Sequence, residues 1–349
     1  MSPVDTLGFV DAVRSLPEQW DVALAAARAI DLSPVEGAPV ERVVVCGMGG
    51  SGISGDVLAA VAGGSASVPI TVVKGYELPA FVGPETLVFA VSYSGGTEET
   101  LEAADAALAA RARLVAVCSG GRLGELAEAH KTAVVGCPGG YMPRAALGHL
   151  CTPLFVVLDR LGLLPGATAW VEAAAAQTVR RRDACRPEVE GAANPARELA
   201  RRIGRTMPLI WGGGLLGAVA ALRWKADVNE NAKAPAFWNA LPELDHNEIC
   251  GFGQHGDVTR QVLTLIELRH DFEHPQVTRR IGATRAIVEE TLAQVIEVRA
   301  EGEGRCAQLV DLMYVGDWVS LYLALDAGVD PGPIEAIARL KDELAQAES

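Results

Sequence analysis

The sequence predicts an α/β protein of two halves, each a parallel sheet covered by helices on both faces, with a helical segment between them. Three observations carry this. Short continuous apolar runs alternate with helix-length segments, the pattern of strands buried on both faces. The alternation stops near residue 145, gives way to Ala-rich stretches as far as about 204, and then resumes. Each half also opens in the same way, with an apolar strand running straight into glycines.

Taken in order, residues 42–46 predict a buried strand because β-branched valines follow one another, and 52–63 predict a helix. "VPITVV" is the second strand and "TLVFAVSYS" the third, followed by a helix over 97–111. "ARLVAVCS", "LGELAEAH" and "TAVVGCP" give a fourth strand, a short helix and a fifth strand. The stretch from 145 to 204 predicts helices alone, with the basic patch "RRRDACR" on a solvated face. The strands then return: "MPLIWGGG" leads into the helix "LLGAVAALRWKADVN", and "QVLTLIEL" is a strand followed by a helix over 275–292. "QVIEVRAEG" is a further strand, and "LVDLMYVGDWVSLYLALDAG" a long helix. The division is 1–150 for the first half, 151–204 for the bridge and 205–349 for the second half, which suggests an internal duplication.

Half of the 349 residues are hydrophobic, enough for a sizeable core. Apolar stretches are broken by Gly, Pro or charge well before about 18 residues, so no membrane span is expected. The acid-bearing N-terminus does not read as a signal peptide. A formal charge of −14 argues against a broad nucleic-acid surface while leaving room for a locally positive pocket. The seven cysteines are scattered without a C-x-x-C, which fits a reduced cytoplasmic protein with no metal.

Two loops of the first half point to an anion. In "VVVCGMGGSGISGD", Gly47, Gly49 and Gly52 satisfy G-x-G-x-x-G, a weak signal by itself. Gly50 and Ser51 from this loop, with Ser92, Ser94 and Thr97 of "VSYSGGTEET", bring hydroxyls to a helix start. There the first N–H groups lack partners and the helix dipole favours negative charge. Both loops belong at the carboxyl ends of neighbouring strands, where open α/β sheets hold ligands. Simple helix capping by Ser94 or Thr97 is the plain alternative. A dinucleotide would want an acid at the end of the second strand, where Lys74 stands instead. An NADP phosphate on Lys74 stays open, but the hydroxyl-rich loop suits a phosphomonoester better.

The segment from 225 to 252, "KADVNENAKAPAFWNALPELDHNEICGF", is dense in Asn and acids. Glu230 and His246 within it could serve as base and acid in proton transfer, or belong to an ordinary polar loop. Together with "GMGGSGISGD", "SYSGGTEET", "YMPRAALG", "NEN" and "DPGPIEAIARLKDEL", this segment resembles the bifunctional phosphoglucose/phosphomannose isomerase family of the sugar-isomerase (SIS) superfamily. The pieces fall in family order across nearly the whole chain.

The resemblance implies two SIS-type, flavodoxin-like α/β/α sandwiches and aldose–ketose isomerisation of hexose 6-phosphates without cofactor or metal. It further implies that Gly50, Ser51, Ser92, Ser94 and Thr97 bind the substrate phosphate, and that Glu230 shuttles a proton between C1 and C2. His246 would open the sugar ring from the neighbouring subunit of a homodimer, Lys341 would assist near the ring oxygen, and Arg144 would stabilise the enediolate. The chain departs from the family at Gly96, where Asn is usual, and at Gly332, where many relatives carry a hydroxyl residue associated with handling both C2 epimers. Alternatives from other classes are an isomerase of a different phosphosugar, a non-catalytic phosphosugar sensor, and an NADP-dependent oxidoreductase. Arg144 and Lys341 could each be no more than surface charges.

Overall fold

The computed structural model describes residues 4–37 and 39–347. In chain order the first half comprises α1 (Phe9–Arg14), α2 (Leu16–Ala29), β1 (Arg42–Cys46), α3 (Gly49–Ala62), β2 (Ile70–Val73), β3 (Thr86–Val91), α4 (Glu98–Ala109), β4 (Arg113–Cys118), α5 (Gly121–Ala129) and β5 (Ala133–Gly136). A 3-10 turn (Pro143–Ala145) leads to α6 (Leu147–Arg160), α7 (Ala167–Cys185) and α8 (Pro195–Ile203). The second half follows as β6 (Met207–Gly213), α9 (Gly214–Asn231), β7 (Phe237–Leu241), α10 (Gly256–Val262), β8 (Leu263–Arg269), α11 (Pro275–Val288), β9 (Gln294–Arg299), α12 (Gly304–Asp326) and α13 (Glu335–Ala347).

Both sheets are parallel throughout. The first runs β2-β1-β3-β4-β5 and the second β7-β6-β8-β9. The former is the flavodoxin-like order, and the latter repeats it one strand short. Because side chains alternate across a strand, each sheet feeds two cores. Val43 and Val45 face the shared centre while Val44 and Cys46 pack under α4 and α5. In the second sheet Ile210 and Ile266 point inward, and Leu209, Trp211 and Leu265 meet α11. The centre between the sheets is filled by α2, α3, α6, α7, α9 and α12.

Helix α12 has 18 of its 23 residues buried and so runs through the centre instead of along the surface. At Gly316 a Cβ would lie 2.5 Å from Trp224 Cδ1, so glycine lets α9 and α12 close on each other. The Trp224 indole then donates to the Leu312 carbonyl at 2.7 Å. This contact fixes the helix whose last turn carries Glu230.

Three local expectations need correction. The basic patch on α7 is not wholly solvated: Arg181 is buried, and its Nε and Nη2 donate to the two carboxylate oxygens of Asp311 at 2.8 and 2.7 Å. A guanidinium fork matches a carboxylate geometrically, so a single acid on α12 draws it inward. The polar segment 225–252 contains a strand, β7, which pairs with β6 at the sheet edge. Its aromatics Phe237 and Trp238 are exposed, so it lacks the apolar run by which buried strands announce themselves. Helix α3 starts at Gly49, so the glycine loop is itself the first helical turn. All seven cysteines are free, and only Cys250 is exposed. No helix among the described residues is long and apolar enough to cross a membrane.

Candidate active site

The two anion loops meet where β1 and β3 lie side by side and their helices leave to opposite faces, the switch point of a doubly wound sheet. Gly47 and Gly52 make the first loop compact: a Cβ on Gly52 would sit 2.5 Å from the Gly47 carbonyl oxygen. Gly49 has φ 50°, the left-handed region glycine enters without penalty. At Gly50 a Cβ would come within 2.7 Å of the Arg144 backbone nitrogen, so the loop lies directly on the turn that carries Arg144.

Ser51 is buried, and its hydroxyl accepts from the Tyr93 backbone N–H at 3.1 Å, joining the first loop to the second. In the second loop the Ser92 and Thr97 hydroxyls are 2.9 Å apart. Thr97 stands at the N-cap of α4, yet its side chain makes no capping bond. Simple capping therefore does not account for it, and the start of α4 keeps its affinity for an anion. Ser94 is exposed and accepts from the Gly96 N–H at 3.3 Å. A Cβ on Gly96 would meet only the Ser94 hydroxyl, at 3.9 Å, so the departure to glycine leaves the mouth of the loop open. Lys74 forms an ion pair with Asp56 on α3 and does not present a free ammonium to a ribose phosphate.

Arg144 is buried and held from every side. Its Nε donates to Asn231 Oδ1 at 2.7 Å, and one terminal nitrogen, Nη2, donates to the carbonyls of Pro331 and Gly332, both at 2.7 Å. The guanidinium lies 4.7 Å from the Phe9 ring centroid, a cation–π contact in a desolvated place. The other terminal nitrogen, Nη1, is 3.9 Å from Glu230 Oε2. Burial pushes the Arg144 pKa down, against the pull of Glu230 and Asp227, but an Arg starts so high that it stays charged.

The turn beneath Arg144 is braced as well. Gln19 Nε2 donates to the Ala145 carbonyl at 2.7 Å, and Arg223 Nη2 donates to the Arg144 carbonyl at 2.5 Å. Arg223 is itself anchored by Asp227 at 2.7 Å and Asp317 at 3.0 Å, a fully buried charge group. Tyr93 completes the scaffold: its hydroxyl donates to the Pro138 carbonyl at 2.7 Å and accepts from the Tyr141 N–H at 2.8 Å.

Glu230 opens on a cavity of about 820 Å³ whose wall includes Lys233, Pro235, Asp330, Ile334 and Ile337. The hydroxyl loops, His246 and Lys341 do not line it. His246 is exposed in a 3-10 turn, and its side chain makes no hydrogen bond among the described residues. Lys341 is exposed on α13, one turn beyond Ile337 on the same helical face. Within one chain Gly50 lies on the Arg144 turn, Arg144 faces Glu230 and Ser51 joins the first loop to the second, which carries Ser92, Ser94 and Thr97, while among the described residues neither His246 nor Lys341 makes a hydrogen bond or ion pair with any of these. Ile337, Leu340 and Leu344 on α13, the helix that carries Lys341, are exposed, as are Phe237 and Trp238 at the start of the edge strand.

At Gly332 a Cβ would lie 2.8 Å from Leu7 Cβ, so a hydroxyl residue there would press on the N-terminal segment. Among the described residues no three His, Cys, Asp or Glu side chains are placed to hold a metal ion. Sequence reasoning missed Asn231, Gln19, Phe9, Arg223 and Lys233 as parts of this site. Arg223 and Asp227 had a local signal that went unread, since their spacing with Glu230 puts three charges on one face of α9. Gln19 and Phe9 carried no signal.

Residues 38–135 match the SIS domain family, and residues 192–344 match the family described as bacterial phospho-glucose isomerase C-terminal SIS domain. A bifunctional phosphoglucose/phosphomannose isomerase of Caldicellulosiruptor bescii is 36% identical over 339 residues, covering 96% of this chain and 98% of its own. A protein of the same description from Aquifex aeolicus is 33% identical over 315 residues, covering 90% and 92%. Among solved structures, a hypothetical protein of Thermus thermophilus superposes with a TM-score of 0.74 over 98% of this chain and 91% of its own, at 17% identity; that likeness concerns the fold alone.

Proposed function

The chain belongs to the bifunctional phosphoglucose/phosphomannose isomerase family, and on that premise we propose how it interconverts glucose 6-phosphate and mannose 6-phosphate with fructose 6-phosphate. The reaction is an aldose–ketose isomerisation, run in the cytoplasm. Gly50, Ser51, Ser92, Ser94 and Thr97, with the N-terminus of α4, hold the phosphate. Glu230 removes the proton from C2 of the open-chain aldose and returns it to C1, while the hydroxyl proton of O2 passes to O1. Between the two steps a cis-enediolate carries negative charge on its oxygens, and Arg144 stabilises that charge. A base and a fixed cation beside the developing oxyanion are what such a proton transfer needs.

The observation that carries this reading is the commitment of Arg144. Its Nε and Nη2 are taken up by Asn231, Pro331 and Gly332, and Nη1 faces Glu230 at 3.9 Å. The same residue's backbone lies against Gly50 of the phosphate loop. Base, cation and phosphate loop thus share one rigid junction, which a phosphosugar sensor would not require.

His246 opens the sugar ring from the second subunit of a homodimer, and Lys341 assists near the ring oxygen. This is supported by the exposure of both residues and by the exposed Ile337, Leu340 and Leu344 on the helix that carries Lys341, which a second copy would bury. The test of the whole reading is turnover to fructose 6-phosphate, measured separately from glucose 6-phosphate and mannose 6-phosphate. Both substrates should react. Turnover of glucose 6-phosphate alone would trace narrowed epimer specificity to the Gly332 region, and turnover of neither would overturn the assignment in favour of another phosphosugar or a sensor.

A further inference from the structure

We infer that Lys233 is a positioning residue for this proton transfer: its ammonium ties the Glu230 turn to the loop on which Arg144 rests and adds positive charge to the wall of the Glu230 cavity. The inference rests on the isomerase reading above and goes beyond it in assigning a second lysine to the site.

Lys233 lies just past the end of α9, with φ 54°, a left-handed conformation that long side chains rarely adopt. That turn folds the side chain back on the helix. Nζ donates to the carbonyls of Glu230 at 2.7 Å and Asn231 at 3.4 Å, the last acceptors of α9. A cation there complements the negative end of the helix dipole. Across the gap Nζ also reaches the Pro331 carbonyl at 3.3 Å, the oxygen that receives Arg144 Nη2. One ammonium therefore couples the base-bearing turn to the seat of the cation.

The loop it grips is tied down elsewhere too. Asp330 accepts from the Thr6 N–H and hydroxyl at 3.2 and 2.6 Å through one oxygen, and from the Gly332 N–H at 3.0 Å through the other. Lys233 makes no ion pair with a carboxylate among the described residues, unlike Lys74 with Asp56. Its charge is therefore left for the cavity it shares with Glu230. The other charged groups facing Glu230 are Arg144 from the 3-10 turn, Asp227 and Arg223 on α9 with Asp317 behind them, and Asp330 and Glu335 from the α12–α13 loop and the start of α13. Burial, reinforced by Arg144, pushes the Lys233 pKa down, as expected of an ammonium drawn partly out of water.

Lys233→Asn tests this, because Asn tolerates the left-handed backbone and removes the ammonium. On glucose 6-phosphate the variant should lose about tenfold in kcat with KM changed by less than about twofold. Lys233→Arg should restore most of the lost kcat, because a guanidinium keeps both the charge and donors for the three carbonyls. A Lys233→Asn enzyme with wild-type kcat overturns the inference. So does a loss of kcat that comes with an equal rise in KM or that Lys233→Arg does not restore, because that is general damage to the fold and not a positioned charge. Wild-type enzyme inactive on both sugars would overturn the isomerase reading and this inference with it, an outcome distinct from an indifferent Lys233→Asn.

Discussion

Gly47, Gly49 and Gly52 of the first half and Gly212, Gly214 and Gly217 of the second stand at the same three places in their strand–loop–helix turns. The backbone demands are the same. Gly49 and Gly214 both have positive φ, at 50° and 62°. A Cβ on Gly52 would strike Gly47, and one on Gly217 would strike Gly212. Strand register extends the correspondence, because Cys46 pairs with Ala90 as Trp211 pairs with Glu267. Ser51, Ser92, Ser94 and Thr97 then correspond to Leu216, Arg269, Asp271 and His274.

Those substitutions close the second site. Arg269 is buried and bonds both carboxylate oxygens of Glu273 at 2.8 Å, where the first half has the open Gly96. His270 plugs the loop: its Nδ1 accepts from the Phe272 N–H at 3.1 Å, which leaves Nε2 to donate to the Gly213 carbonyl at 2.9 Å. His274 caps α11 by accepting from the Gln276 N–H at 3.1 Å, whereas Thr97 leaves α4 uncapped. The lesson is that a glycine fingerprint sets up a tight turn, and the side chains around it decide whether an anion can enter. On the proposed reading, phosphate binding falls to the first half and proton transfer to the second, with Arg144 at the seam.

The largest effect that could break this division is at Glu230. Glu230→Gln should lower kcat by about three orders of magnitude, within the range for losing a general base, and leave phosphosugar affinity near wild type. His246→Ala should be similarly impaired, and co-assembled Glu230→Gln and His246→Ala subunits should regain activity. Confirmed mixed dimers that stay inactive would argue against a site shared between subunits.

Next in size is a paired comparison of the two helix starts. Ser92→Ala with Thr97→Val should raise KM about tenfold to a hundredfold, the worth of hydrogen bonds to a charged group. The matching change in the second half, His274→Ala, should cost about 1 kcal/mol of stability, as losing a cap does, and leave KM alone. Equal effects on KM in steady-state assays would mean that the two loops are not specialised in this way.

The smallest effect at neutral pH separates two buried histidines. Burial holds the His149 pKa down at about 4 and also lowers that of His270. Because the unfolded chain takes up these protons near pH 6.5 and the folded chain does not, their contribution is complete above that pH and is lost as pH falls towards 4. Urea unfolding at pH 7 and pH 4.5 should show the loss, and His149→Phe should reduce it. An unchanged pH dependence in that variant would remove His149 from the account.

Much of the fold was legible because buried parallel strands and their glycine turns leave a local trace. The apolar runs at 42–46 and 86–91 became β1 and β3, and the serine loops after them stand side by side as their position at strand ends required. Strand β7 was not legible, since an edge strand with exposed Phe237 and Trp238 needs no apolar run. The RRRDACR patch misled because whether Arg181 faces water depends on Asp311, 130 residues away.

By itself the sequence determined two α/β halves, the hydroxyl-rich loops of the first and the Glu230 segment of the second, because each depends on residues close together in the chain. Only the tertiary structure decided which donors of Arg144 are spent and which face Glu230. It also brought Gln19 beneath the Arg144 turn and set Lys233 between α9 and the Pro331 carbonyl. Such contacts join residues far apart in the chain, 98 positions for Lys233 with Pro331 and 188 for Arg144 with Gly332. Packing creates them, and no local pattern in the chain encodes them.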